Sequence, residues 1–287
     1  MLSAATIARH LRRLHRLRAA DPVEERLRGW NWKDPPLRPR YDFQLGVSEV
    51  AYRYCPTRRD LFVRRVLGIQ ARPSRPMLKG RVVHAAFHLS ANDLMRLVLG
   101  DGVNVVDAVA ALMSDALERG KRVLELAGVA EPDAELERFA ARVYRRMVLE
   151  WGGWILETRS PPWLTEWEVD GSLLGLSKRL RVDALAFGVV VEVKYGRWSD
   201  SYPVALAGYA LALEANLETP FDYGLVIMVN GDGSRLEIEP VYIGNEEREA
   251  FIRARDEAAE MIASKSDPGR PHSCPDSCPF RPVCPRR

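Results

Sequence analysis

Four cysteines constrain this chain most, because they stand towards its two ends and each is followed by proline: Cys55-Pro56, Cys274-Pro275, Cys278-Pro279 and Cys284-Pro285. Some 220 residues separate Cys55 from a C-x3-C-x5-C tail. Three cysteines within eleven residues have the spacing of ligands. Four thiolates suit tetrahedral zinc or an iron–sulfur cluster, and proline after a ligand cysteine occurs in ferredoxin-type cluster motifs. Free buried thiols and two disulfides are the alternatives. The expectation is a metal clasp joining the two ends.

A chain of 287 residues is long enough for one large domain or two smaller ones. With 47% hydrophobic and 28% charged residues it has the composition of a soluble globular protein. No apolar run approaches the roughly 18 residues of a membrane span. The opening MLSAATIARHLRRLHRLR lacks a continuous apolar region, so no secretory signal is expected. It is arginine-rich and faintly resembles a mitochondrial transit peptide, but Ile7, Leu11 and Leu14 equally fit an amphipathic helix. A reducing cytoplasmic compartment is the expectation, and it would keep the thiols available as ligands.

The net charge of +3 hides an uneven distribution. Residues 1–18 hold five arginines and no acid, and residues 51–81 hold nine Lys/Arg against Asp60 alone. Within that second run Arg58, Arg59, Arg64 and Arg65 are candidate contacts to a phosphate backbone. The bland alternative is a solvated basic face.

Residues 1–28 read as a basic helix, and RGWNWKDPPLRPR after it as an ordered extended linker. Ser48 can cap a helix running to Gly68, although Pro56 must interrupt it or begin a second one. A helical pattern resumes from Gly80 to about Leu99, and residues 104–158 look entirely helical. At Pro161-Pro162 the texture changes to strand-like segments bounded by glycine and Asn-Gly-Asp-Gly turns. Residues 201–218 form a helix between the third and fourth of these segments. A β-β-β-α-β order implies a mixed sheet with a helix packed on it, an α/β core. Glu246 to Ser264 forms the last helix. The expected organisation is a basic helix and linker (1–45), a helical region (46–160), a sheet core (161–245), and a helix with the cysteine tail (246–287).

Asp183, Glu192 and Lys194 are the candidate chemistry. Phe187-Gly188 makes a turn between two strands, so pairing across it can bring Asp183 close to Glu192. Glu192 and Lys194 share one strand face, while Val191 and Val193 pack on the other. Two carboxylates there would repel each other unless a cation such as Mg²⁺ or Mn²⁺ bridges them. A lysine beside such a site can orient water or stabilise charge on a phosphate. Charged groups near a hairpin turn are commonplace, but within VVVEVKYG they interrupt an apolar strand, where unpaired charge is expensive. His84, four residues after Gly80, is the candidate fourth ligand, and His88 one turn later is the competitor.

Gly80-x-x-x-His84, Asp183, Glu192-Val-Lys194, a helix carrying Tyr209, and the split cysteine set together resemble the RecB-like iron–sulfur nucleases of the PD-(D/E)XK superfamily. Within that group the chain is similar to CRISPR-associated proteins of the fourth Cas family. RGWNWKDPP suggests the archaeal subtype called Csa-one, of type I-A systems. The resemblance implies a PD-(D/E)XK (RecB-like) nuclease core with a mixed β-sheet, an N-terminal and inserted helical region, and a cluster region joining the N- and C-terminal parts. It implies a DNA exonuclease that trims ends of new spacer precursors and depends on Mn²⁺ or Mg²⁺. Carried over, His84, Asp183, Glu192 and the backbone carbonyl of Val193 would bind the metal, and Lys194 would be the catalytic lysine. Cys55, Cys274, Cys278 and Cys284 would hold an iron–sulfur cluster, 4Fe–4S favoured over 2Fe–2S, and Tyr209 would contact DNA. DNA ends and the Cas-one and Cas-two integrase proteins are the implied partners, with no membrane. The family's helix motif, Gln-x-x-x-Tyr, is departed from at Ala205. A catalytically weak DNA-binding subunit of the integration complex, or an iron–sulfur repair exonuclease, are the competing readings.

Overall fold

In the computed structural model, which describes residues 2–275 and 278–285, the chain begins with helix α1 (Ala4–Ala20). Ser3 caps it by accepting the Thr6 N–H, Ile7 and Leu14 turn inward, and Arg9, Arg12, Arg13 and Arg16 are exposed. The helix ends at Ala20, short of the expected residue 28. The following tryptophan-proline segment is not extended either. Residues 25–31 coil into two 3-10 turns anchored by buried charge. The Arg28 guanidinium donates to Glu214 at 3.0 Å and to Asp222, and the Gly29 N–H donates to Glu214 at 2.8 Å. Arg248, fully buried, donates to Glu214 at 2.7 Å and completes the pairing that such carboxylates require. Only glycine fits at position 29, because a Cβ there would run into the Leu211 carbonyl.

The helix expected from Ser48 is two helices, α2 (Val47–Ala51) and α3 (Arg59–Arg65). Gly46, not Ser48, caps the first, and Glu49 reaches back to the Gly46 N–H at 2.9 Å. Between them lies the non-helical stretch that holds Cys55. Helix α4 (Arg75–Met95) begins five residues ahead of Gly80, with Pro76 in its first turn, and ends in a π-helical turn over Arg96–Gly100. Helices α5 (Val105–Ser114), α6 (Ala116–Leu126) and α7 (Ala134–Thr158) fill the stretch expected to be helical.

Strands β1 (Leu164–Val169), β2 (Leu180–Ala186) and β3 (Val189–Tyr195) lead into helix α8 (Ser201–Leu217). The segment read as one fourth strand is a hairpin of two, β4 (Tyr223–Asn230) and β5 (Arg235–Tyr242), and α9 (Asn245–Ser264) follows. The sheet runs β1-β2-β3-β4-β5, antiparallel throughout except for the β3–β4 pair that α8 connects. Phe187 and Gly188 both have positive φ, 52° and 76°, as a two-residue hairpin turn requires.

Each face of the sheet is covered. Val189, Val191 and Val193 pack with Phe87, Tyr144 and Trp151 of the helical layer. Val190, Val226 and Met228 pack against the small residues of α8, Phe251 of α9 and the segment around residues 23–61. The result is helices on both faces of a mixed sheet, the α/β class expected, with two cores that each draw on several of the four segments. Among the described residues no helix is long and apolar enough to cross a membrane.

Candidate active site

Two breaks in the sheet create the site. The β1–β2 register pairs Thr165 with Ala184 and Trp167 with Val182, leaving Glu166 and Asp183 between them outside the ladder. Glu166 has φ of 54°, a left-handed conformation that costs a non-glycine residue about 1–3 kcal/mol and that clusters at functional sites. The β2–β3 ladder ends at Ala184–Val191, so Asp183 Oδ2 instead accepts the Val193 N–H at 2.7 Å. From α4, His84 Nδ1 sits 2.9 Å from Asp183 Oδ1. Ligand atoms of His84, Glu166 and Asp183 all lie within 4.8 Å of one another. His88 is occupied elsewhere, on Thr165 at 2.7 Å and Asn92 at 2.9 Å, so His84 is the histidine that joins the cluster.

Glu192 lies beside this group rather than within it. Its Oε1 accepts the Tyr52 hydroxyl at 2.6 Å and the Lys194 ammonium at 2.8 Å. Its Oε2 is buried with no hydrogen-bond partner among the described residues. Lys194 also stands 5.3 Å from the centre of the Tyr52 ring. The shared face of Glu192 and Lys194, with Val191 and Val193 opposite, is as the strand periodicity predicts.

Charge reinforces this geometry. Burial alone would push the Asp183 carboxyl up, but His84, Lys194 and the Val193 N–H together hold it below its ordinary value. Burial likewise works against a charged Lys194, and Glu192 and Asp183 outweigh it, raising its pKa and keeping the ammonium protonated. The hydroxyls of Tyr52 and Tyr209 are pushed well above the usual range, first by burial and then by the neighbouring carboxylates.

Open space flanks His84 on two sides. A cleft of about 550 Å³ is lined by Tyr52, Arg53, Tyr54, Arg81, Lys194 and Tyr202. A second, of about 770 Å³, is lined by Arg81, His88, Glu166, Glu168, Arg181 and Asp183. Arg81 and His84 border both. Gly80 faces the first cleft with open space where a side chain would stand.

The basic run divides. Arg58 is buried and its guanidinium donates to the Val50 and Ala254 carbonyls, while Arg59 is buried and paired to Asp267 at 2.8 Å. Both hold the fold together, which corrects the expectation that they face a phosphate backbone. Arg64 and Arg65 remain on the surface and pair with Glu49. Tyr209 lies within the electrostatic reach of Glu192, Asp183 and Glu166, on the helix expected to carry it. Ala205, one turn earlier, is fully buried, so the position where a glutamine was expected contributes packing.

The cysteine tail folds back onto the Cys55 loop. All four cysteines are free, Cys55 buried and the three of the tail half-buried. Thr57 links Cys55 (Sγ–Oγ1 3.3 Å) to the Gly269 carbonyl at 2.7 Å. Arg59 donates to Cys284 Sγ at 3.4 Å and to the Pro285 carbonyl at 2.9 Å. Burial raises the pKa of Cys278, and the nearby Asp60 and Cys55 add to it. Cys274 lies four residues before Cys278 on the same tail.

The family model described as "CRISPR-associated exonuclease Csa1" matches residues 1–287. The chain belongs to that family. A Csa1-family protein of Thermoproteus tenax bearing the same description is 34% identical over 299 aligned positions, covering 99% of each chain. A second, from Saccharolobus solfataricus, is 29% identical over 277 positions, covering 91% of this chain and 92% of the relative. In this Csa1-family chain two residues of the site escape sequence reasoning, Glu166 and Tyr52. For Glu166 the available signal is a pair of carboxylates, Glu166 and Glu168, alternating with Trp167, a pattern common on edge strands. For Tyr52 it is proximity to Cys55 alone.

Proposed function

We propose that the protein is a divalent-metal-dependent DNA exonuclease that trims DNA ends while CRISPR spacer precursors are prepared. One observation carries this reading: His84, Glu166 and Asp183 gather nitrogen and oxygen ligand atoms beside the ion pair of buried Glu192 with half-buried Lys194. The word exonuclease in the description shared by both relatives agrees with it.

The residues present fit a hard cation. The set contains carboxylates and an imidazole and no sulfur, the chemistry of Mg²⁺ or Mn²⁺. Glu192 Oε2, without a hydrogen-bond partner among the described residues, is a buried carboxylate oxygen that a cation would satisfy. His84, Asp183 and Glu166 would hold the ion, with Glu192 and the Val193 carbonyl as further ligands. When bound, such an ion polarises the scissile phosphate and lowers the pKa of an attacking water. Lys194, kept charged by Glu192, offsets negative charge developing on the phosphate and orients the water. Tyr52 fixes the Glu192 carboxylate by its hydroxyl. The clefts on either side of His84 give the strand room on both sides of the reacting phosphate.

The cysteine corner would hold an iron–sulfur cluster, 4Fe–4S in preference to 2Fe–2S, in a structural role. The free thiols and the Arg59 donor to Cys284 Sγ support it, since a cationic donor favours thiolate. Trimmed ends would pass to the Cas-one and Cas-two integrase proteins in the cytoplasm.

The test is degradation of end-labelled single-stranded DNA with Mn²⁺ and with Mg²⁺. Asp183→Asn and Glu166→Gln should each lower the rate by roughly 100-fold or more, as loss of a metal-site group does. Wild-type-like cutting by both variants sinks the site assignment. A wild-type protein that binds DNA ends and cuts nothing with either ion identifies a non-catalytic DNA-binding subunit instead.

A further inference from the structure

We propose that Tyr54, Tyr52 and Tyr202, which line the cleft beside Lys194, and Trp198 at its border form a base-stacking platform that grips single-stranded DNA. The proposal rests on reading that cleft as the nuclease site.

The four rings form a continuous edge-to-face chain. Their centroids are 6.3 Å apart for Tyr54–Tyr52, 6.1 Å for Tyr52–Tyr202 and 5.8 Å for Tyr202–Trp198. The two inner rings are half-buried and fixed by their hydroxyls, Tyr52 on Glu192 and Tyr202 on the Arg197 carbonyl at 3.1 Å. The outer rings are open to solvent, Tyr54 at 41% and Trp198 at 42%. Each outer ring has a single ring neighbour among the described residues. Scattered exposed aromatics are ordinary on a protein surface. A row of four, ending in two open rings and resting on a half-buried lysine through Tyr52, is not.

Position points to the ligand. Trp198 lies in the loop after the carboxyl end of β3, and Tyr54 in the loop after α2, so the row crosses the end of the sheet where Lys194 emerges. Ligands of α/β sheets bind at such strand ends. The cleft adds phosphate-binding charge, because Arg53 and Arg81 line it and both are exposed. Aromatic faces interleaved with cationic side chains are what unpaired bases on a charged backbone require. Bases stacked inside a duplex offer no free face to these rings, so the platform selects single strands.

Binding without cleavage tests this, by fluorescence anisotropy in EDTA with a labelled oligonucleotide and an abasic strand of equal length. The wild-type protein should prefer the base-bearing strand. Trp198→Ala and Tyr54→Ala should each weaken that binding by about 5- to 100-fold and leave affinity for the abasic strand unchanged. Trp198→Phe, which keeps a ring, should restore most of the loss. Equal affinity of the wild-type protein for both strands overturns the proposal. So does an alanine variant that binds the base-bearing strand normally, or that loses both strands alike. The nuclease reading is scored separately: if Asp183→Asn binds with the same base preference, the platform stands whatever the cleavage assay shows.

Discussion

A carboxylate inside an apolar strand has to be paired, and Glu192 is paired twice on one oxygen while the other has no hydrogen-bond partner among the described residues. Tyr52 is what keeps the carboxylate turned this way, at 2.6 Å. Tyr52→Phe keeps the ring and removes only the hydroxyl. It should lower Mn²⁺ affinity or the Mn²⁺-dependent rate by roughly 10–100-fold, the usual effect of losing a group that orients a ligand. Titration calorimetry with Mn²⁺ and the degradation assay check this, with a thermal melt expected to stay close to wild type. Glu192 and Lys194 are legible in the sequence because charge in an apolar strand demands an explanation, and Asp183 because it lies across the Phe187-Gly188 turn from them. Glu166 is not, because what brings it to His84 is a break in the β1–β2 ladder and a left-handed backbone, neither of which leaves a mark on residue type. The buried Arg58 and Arg59 mislead for the converse reason: a basic run reads as surface until the chain folds over it.

At the level of elements, local chemistry foretold most of what formed. The hairpin at Phe187-Gly188 and the helices between residues 104 and 158 stand where turn residues and apolar periodicity put them. The β4–β5 hairpin is less legible, because β5 alternates between exposed and half-buried as an edge strand does, without a strong apolar signature. Helix α7, which contributes Tyr144 and Trp151 to the core, carries a testable electrostatic cap. Asp133 accepts the Leu136 N–H and pairs with Arg75 at 2.7 Å, and its pKa falls to about 2, chiefly through Arg75. A carboxyl lowered on folding stabilises the native state above its unfolded pKa, and that contribution disappears as pH falls through the folded value. The melting-temperature gap between wild type and Asp133→Asn should therefore be open near neutral pH. It should close between about pH 4 and about pH 2, as thermal melts across that range will show.

At the scale of the whole molecule, Thr57 and Arg59 bring the C-terminal tail to the Cys55 loop. The tail returns to the Cys55 loop and is tied there by Arg59, which bridges Asp267 and Cys284. The proposed cluster would complete this clasp. Anaerobically purified protein should be brown and contain iron and sulfide, whereas Cys55→Ser and Cys284→Ser should lose the visible absorbance. Both variants should melt roughly 5–10 °C lower, the scale of a few kcal/mol in a chain of this size. A colourless protein with one zinc per chain would replace the cluster by a zinc site. Sequence alone determined the α/β class, the helical and strand regions, the family resemblance and the residue types of the clasp, because periodicity, turn chemistry and ligand spacing are local properties of the chain. Only the tertiary structure decided that His84 rather than His88 meets Asp183, that Glu166 joins them, and that Glu192 meets Tyr52. The contacts of His84 with Glu166 and Asp183, and of Tyr52 with Glu192, join residues roughly 80 to 140 positions apart, and their geometry depends on where ladders break and loops cross, which no local pattern encodes.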